Sequence, residues 1–169
     1  IRYLSNSLIY GLLVSIGIVS LIMGLVFRSI RMVIISIVPN TIPLVFIAAV
    51  MGYMGIEVKT STSIIFTIAF GIAVDDTIHL LGKFKFELMK GKSVRDALKH
   101  AYIVTGKAMI LTTLVLCSGF LLLLFSTFMG IFNMGLLLSM TLFIALILDL
   151  TLLPLLILTF YKSPKQPHS

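Results

Sequence analysis

The chain has 169 residues, of which 59% are apolar and only 11% are charged. Soluble proteins carry about a quarter charged residues, so this composition excludes a soluble globular domain. The net charge of +7 does not indicate nucleic-acid binding, because the basic residues lie in short clusters between long apolar runs. Cys117 is the single cysteine, so an internal disulfide is excluded. Cysteine usage therefore does not indicate whether the protein is in an oxidising or a reducing compartment.

The apolar runs are long enough to cross a membrane as helices, which takes about 20 residues each. We predict an all-α membrane protein: one domain over residues 1–169, a bundle of five transmembrane helices with one cytoplasmic amphipathic connecting helix. Prolines inside the spans are compatible with this, because neighbouring helices can satisfy the freed carbonyl groups. The predicted spans are about 7–27, 32–54, 60–82, 105–125 and 133–160, with the connector at 83–104.

Basic residues predict the orientation of the bundle. Eleven lysines and arginines flank one side of the spans, whereas only Arg2 and Lys59 flank the other side. The positive-inside rule makes the first side cytoplasmic. With five spans, the N-terminal end then lies outside and the C-terminus lies inside.

The connector between spans three and four contains a predicted helix. Ser93 and Asp96 have the spacing of a capping box, and Gly91 is placed to end the preceding helix. Apolar residues then recur at helical spacing. We expect this amphipathic helix to lie along the inner membrane surface, either as a simple connector held to anionic lipid or as part of a gate.

The third span carries two adjacent acids, Asp75 and Asp76, a few residues from its centre. Each aspartate near the centre of a span costs about 2.5 to 3.5 kcal/mol of insertion free energy, so the pair cancels most of what the apolar residues contribute. Two adjacent carboxylates in a low dielectric also repel, so at least one is expected to hold a proton near neutral pH. Acids inside a membrane indicate a functional site, here a proton relay.

Other polar residues surround this pair in the sequence. A stripe at a spacing of four residues is predicted to share one helix face: Ser63, Thr67, Gly71, Asp75 and His79. His79 is either part of the relay or an interfacial residue. Thr112 and Thr113 fit ordinary helix packing or a role near the acids, and Asp149 fits a structural role or the same polar path.

The string GIAVDDTIHLL, which starts at Gly71, resembles a transmembrane motif of the resistance-nodulation-division (RND) superfamily. The similarity is strongest to the branch that holds the mycobacterial-type large membrane proteins (MMPL), hopanoid exporters and Patched-like proteins. Thr112-Thr113-Leu with Gly119-Phe120, and the segment from Ala145 through Asp149 to Pro154, are also similar to that branch.

This resemblance implies a proton-driven exporter of hydrophobic or lipidic molecules in the bacterial inner membrane. It implies that Asp75 and Asp76 relay protons, with Gly71, His79, Thr112, Thr113 and Asp149 in support. It also implies that the chain is the five-span part of one half of a two-half transporter, and the polar tail favours the second half. Protons would be the coupling ion, without a cofactor or metal. The expected partners are membrane lipids, the transported molecule and the other half, with no nucleic acid, and a homo-oligomer stays open.

Two other function classes remain to be tested. A sterol-sensing or Patched-like module would use the same bundle to bind lipid without pumping, but lipid binding does not require buried acids. An intramembrane aspartyl protease would pair Asp75 with Asp149. The Gly-x-Gly-Asp signature of that class is missing, since position 73 is alanine.

The predicted orientation can be tested with topology reporters in the full-length protein. A reporter inserted near Gly91 or fused after Ser169 should give a cytoplasmic signal, because both positions lie on the basic side. A reporter near Glu57 should give an external signal. A cytoplasmic signal near Glu57 would contradict both the orientation and the number of spans.

Overall fold

The computed structural model describes residues 2–57 and 60–161, which form long helices and no strand. In chain order the helices are α1 (Arg2–Phe27), α2 (Ile30–Met54), α3 (Thr60–Met89), α4 (Val94–Ala101), α5 (Lys107–Leu121) and α6 (Met129–Phe160). A π-helical turn, Tyr102–Gly106, joins α4 to α5, and a 3-10 turn, Leu122–Phe125, follows α5. The predicted all-α membrane bundle is confirmed.

Within the described residues, four helical segments are long and apolar enough to cross a bilayer: Ile30–Met54, Ile64–Met89, Val94–Phe125 and Met129–Phe160. In α1 the corresponding apolar stretch is Ile16–Leu25. Large apolar side chains also cover the outside of the bundle, for example Ile34, Leu114 and Phe143. A helix that is apolar on its outer as well as its inner face is typical of a membrane span.

Helix α3 continues beyond residue 82, where the predicted span ends, to Met89, in agreement with the predicted helix end at Gly91. Gly91 follows at a φ of 82°, and its N–H donates to the Leu88 carbonyl at 3.0 Å. Glycine suits this left-handed conformation because it has no Cβ to clash. The predicted capping box then starts α4, since the Asp96 N–H donates to Ser93 Oγ at 3.2 Å and the Ser93 hydroxyl donates to the Asp96 carboxylate at 2.6 Å.

The position of α4 differs from the expectation of a helix lying on the membrane surface. Its apolar residues Ala97, Leu98 and Ala101 are buried in one cluster with Leu81 and Phe84 of α3. The apolar face of α4 therefore packs against protein. Through the π-helical turn, α4 also continues directly into α5. The connector and the fourth span thus form one helical segment that packs against α3.

A buried carboxylate joins the extension of α3 to α4. Glu87 is fully buried, and Lys92 Nζ lies 2.7 Å from its Oε2. Lys83, Lys90 and His100 Nδ1 each lie 3.3 Å from its Oε1. Because His100 belongs to α4, this cluster fixes α4 against α3.

Hydrogen bonds between side chains fix the rotation of α3 within the bundle. The Thr77 hydroxyl donates to Asp149 Oδ1 of α6 at 3.0 Å and accepts from Asn40 Nδ2 of α2 at 2.9 Å. All three side chains are buried, with no more than 1% of their surface exposed. We call Asn40, Thr77 and Asp149 the buried polar triad. Tyr102 donates from its hydroxyl to the Asp149 carbonyl at 2.5 Å, which ties the π-helical turn to the same point.

Helix α6 contacts α2, α3 and α5 and so occupies the centre of the bundle. Its approach to the end of α5 depends on Gly135. A Cβ at this position would lie 2.5 Å from the Phe120 carbonyl oxygen and 2.7 Å from Leu123 Cβ. Small residues allow such close approach of membrane helices. Gly135 therefore sets the position of α5, which forms one wall of the candidate site.

The buried polar triad leads to a stability prediction. Thr77→Val keeps the side-chain shape but leaves Asp149 and Asn40 without their shared partner. We expect the full-length protein to lose about 1–3 kcal/mol of unfolding free energy. The matched control is Thr151→Val, because Thr151 is exposed and its hydroxyl bonds only the Ile147 carbonyl of its own helix. Thermal unfolding in detergent that is equal for the two variants would contradict the role of the triad.

Candidate functional site

A groove between α3 and the segment formed by α4 and α5 brings several of the predicted site residues together. Its volume is about 720 Å³. From α3 it is lined by Asp75, Asp76, His79 and Lys83, and from the opposite wall by Thr105 and Thr112, with apolar residues between them. We call this cavity the acid groove. It combines carboxylates, an imidazole, an ammonium group and hydroxyls on the side of an otherwise apolar bundle.

The polar stripe predicted on α3 lies on the outer face of this helix. Thr67, Gly71, Asp75 and His79 are exposed at successive helical turns, while Ser63 lies outside the residues whose side chains are described. His79 Nε2 lies 3.5 Å from Asp75 Oδ1, and the two side chains are 70% and 69% exposed. Asp76 is turned toward the bundle and is half-buried. The two acids therefore occupy different depths of one groove.

The two threonines of α5 have different surroundings. Thr112 lines the acid groove, and its hydroxyl donates to carbonyls of its own helix, Ala108 at 3.1 Å or Met109 at 3.0 Å. Its oxygen can still accept a hydrogen bond from the groove. Thr113 is 5% exposed and is not among the residues that line the groove. Of the two hydroxyls, Thr112 is thus the one placed near the acids.

Asp149 is absent from the lining of the acid groove and belongs to the buried polar triad. Asp75 and Asp149 therefore do not share the acid groove. An aspartyl protease needs two carboxylates that share one site, as in dyads that share a proton. This arrangement disfavours the protease alternative.

Gly71 shares the exposed face of Asp75, one turn away. A Cβ added at Gly71 would meet no atom of the described residues within 4 Å. The close helix approach expected at Gly71 is therefore not made by the described part of this chain. The space beside Gly71 is open to a segment outside the described residues.

The structure also identifies residues that the sequence did not single out. Thr77 and Asn40 look like ordinary polar residues in apolar spans, yet they hold α3 in place. Asn40 lies between Pro39 and Pro43, where backbone hydrogen bonds of α2 are lost. This placement is the sequence feature that could have indicated a role for Asn40 in helix packing. Lys83 pairs with Glu87 and also lines the groove. Lys83 is four residues from both His79 and Glu87, which indicates that the three side chains lie on one face of α3.

Metal binding finds no support in the described residues, where no cluster of three or more His, Cys, Asp or Glu side chains is close enough to hold an ion. The groove does contain a pair of acids beside a histidine, which is suited to binding and passing protons. The groove thus presents acid and base groups beside apolar side chains.

Comparison with known proteins places the chain among membrane proteins. It is 28% identical over 145 residues to a protein of Methanocaldococcus jannaschii that is named only as a membrane protein, a match covering 85% of this chain and 37% of the relative. It is 29% identical over 148 residues to the hopanoid transporter HpnN of Burkholderia multivorans, covering 87% of this chain and 17% of the relative. The chain thus spans well under half the length of either relative.

The family comparison agrees with the motifs of α3, α5 and α6. The model of the MMPL family matches residues 2–168, nearly the whole chain. This match confirms the resemblance to the MMPL branch of the RND superfamily and an integral, multi-pass membrane protein. The chain belongs to the MMPL family.

Proposed function

We propose that the chain is part of a proton-driven transporter that exports hydrophobic or lipidic molecules. The observation that carries this proposal is the acid groove, in which Asp75 and Asp76 lie beside His79 in the middle of a membrane helix. Membership of the MMPL family supports a transporter, and the similarity to a hopanoid transporter supports a lipidic substrate. A passive lipid-binding module would not need the insertion cost of two adjacent acids.

The proposed relay starts from the charge state of the acid pair. Two carboxylates on adjacent residues in a low dielectric cannot both ionise without strong repulsion, so the pair holds one proton at rest. Asp76 is half-buried and Asp75 is exposed, so the proposed relay joins two acids in different surroundings. When the pair releases this proton, both carboxylates are charged and repel each other. This repulsion favours a change of conformation.

His79 continues the relay toward the basic side of the bundle. Its Nε2 lies 3.5 Å from Asp75 Oδ1, and it stands one helical turn nearer to Lys83. An imidazole can accept a proton on one nitrogen and release one from the other. Lys83 lines the same groove and lies just after the predicted span, on its basic side. In the proposed cycle, protons pass between water at Lys83 and the acids through His79.

The open side of the groove requires a partner. A carboxylate and an imidazole that are more than two-thirds exposed cannot face lipid tails without a large energetic cost. We propose that the other half of the transporter covers Gly71, Asp75 and His79, in the bacterial cytoplasmic membrane, with the basic loops inside. A homo-oligomer is a second way to cover this face.

Proton-coupled transport can be tested by removing the titrating groups. Asp75→Asn and Asp76→Asn keep the shape and most hydrogen bonding, so each full-length variant should insert and fold normally. Each should lower coupled proton flux and export at least a hundredfold per folded molecule, as expected for loss of an essential acid-base group. The measurement is proton uptake by proteoliposomes, with export normalised to folded protein.

The matched control is Asp96→Asn, an exposed carboxylate on α4 outside the acid groove. It should keep wild-type flux. Normal coupled flux in the double Asn variant at positions 75 and 76 would contradict the relay. Substrate binding without any proton flux in the wild-type protein would instead favour the sterol-sensing or Patched-like module.

A further inference from the structure

The π-helical turn between α4 and α5 forms part of the wall of the acid groove. Thr105 belongs to this turn and lines the groove opposite Asp75 and His79. The turn is held at its start, because the Tyr102 hydroxyl donates to the Asp149 carbonyl at 2.5 Å. Short π-helical turns within helices are frequent at functional sites. Thr105 thus presents a hydroxyl at a fixed point of the groove wall.

The Thr105 hydroxyl differs from other threonine hydroxyls of the spans in its hydrogen bonding. In an α-helix such a hydroxyl commonly donates to a carbonyl three or four residues earlier, and those of Thr41, Thr112 and Thr151 do so. Within the described part of the chain, the Thr105 side chain makes no hydrogen bond. Backbone hydrogen bonds of a π-helix span five residues and not four, so the carbonyls leave their α-helical positions. The Thr105 hydroxyl is therefore available to a group in the groove.

The course of the segment formed by α4 and α5 determines which end of the groove Thr105 occupies. His100 of α4 lies beside Glu87, near the end of α3, and the segment then runs back along α3 to Thr112. Thr105 comes five residues after His100 and seven residues before Thr112. At a rise of about 1.5 Å per residue, Thr112 lies about 10 Å further along the groove. Of the two hydroxyls on this wall, Thr105 is therefore the one toward the His79 end.

His79 has one ring nitrogen beside an acid and one without a partner in the described residues. Its Nε2 lies 3.5 Å from Asp75 Oδ1, and its Nδ1 makes no hydrogen bond there. The hydrogen bond of one ring nitrogen sets the tautomer and orientation of the whole imidazole. A relay through His79 therefore needs a second polar group that holds Nδ1 while Nε2 faces Asp75.

We propose that Thr105 is a positioning residue of the proton relay, whose hydroxyl bonds His79 Nδ1, directly or through one water, and keeps Nε2 beside Asp75. A hydroxyl can donate to the bare nitrogen of a neutral imidazole and can accept from the N–H of a charged one. His79 thus gains and loses a proton without losing this partner. The proposal rests on the proton-coupled function proposed above and adds Thr105 to its machinery.

The first test measures coupled proton flux in proteoliposomes of the full-length protein, normalised to folded protein. Thr105→Val removes the hydroxyl and keeps the side-chain shape, and it should lower the flux about tenfold, as expected for the loss of one hydrogen bond. Thr105→Ser keeps the hydroxyl and should stay within about twofold of the wild type. Thr151→Val, which removes an exposed hydroxyl of α6 outside the groove, should keep wild-type flux.

The second test observes the His79 ring itself and does not depend on transport. In protein labelled with ¹⁵N-histidine, the signals of His79 are those that disappear in His79→Gln. A hydrogen bond to a ring nitrogen changes its resonance, so Thr105→Val should shift the Nδ1 signal of His79, and Thr105→Ser should leave it in place. The signals of His100, which precedes the π-helical turn on α4, should stay unchanged in both variants and so report that the segment keeps its structure.

Either of two results would overturn the role of Thr105: flux in Thr105→Val that equals the wild type, or a His79 Nδ1 signal that does not shift in this variant. The outcome for the acids separates this failure from failure of the relay. Normal flux in the double Asn variant at positions 75 and 76 would overturn the relay and with it the role of Thr105. Loss of flux in that variant, together with normal flux in Thr105→Val, would overturn the role of Thr105 alone.

Discussion

The bundle depends on a hydrogen-bonded contact between three helices at a buried point of the interior. The Thr77 hydroxyl joins Asp149 of α6 to Asn40 of α2, and none of these groups has solvent as an alternative partner. In an apolar medium an unsatisfied polar group is costly, so the contact strongly favours one rotation of α3. Apolar packing alone would allow α3 to rotate with little cost, because lipid tails and leucine side chains are equally apolar.

The rotation of α3 determines what the acids can do. With Thr77 fixed inward, Asp75 and His79 face outward and Asp76 lies between these two directions. Asp149 thereby stays in the buried polar triad, whereas Asp75 and Asp76 line the acid groove. The Glu87 cluster and Gly135 then hold the opposite wall of this groove in position. Fixed walls around groups that can change their protonation are the physical requirement for a proton relay.

Much of the fold could be predicted from hydropathy, and the polar stripe on α3 from helical spacing. The end of α3 could not be predicted from hydropathy, because hydropathy reports where a helix leaves the lipid and not where it ends. Lys83, Lys85 and Glu87 ended the predicted span, yet the helix continues to Gly91 on ion pairs and on packing with α4. Likewise, the apolar face of α4 has the same pattern whether it meets lipid or protein. The sequence also could not distinguish Thr77 from Thr112, because both are threonines in apolar spans and only their neighbours differ.

The rotation of α3 is the central claim, and cysteine accessibility tests it most directly. Single cysteines at His79 and Gly82, which line the acid groove, are compared with cysteines at Leu80 and Leu81, which are fully buried. The background is the full-length protein without reactive cysteines, and the probe is a membrane-impermeant maleimide added from the basic side. Successive residues differ by about 100° in direction, so a rotation of α3 by one residue would change which of these four positions face the groove. We expect faster labelling at positions 79 and 82, which line the groove, than at 80 and 81, which are packed inside the bundle; faster labelling at 80 and 81 than at 79 and 82 would contradict the account.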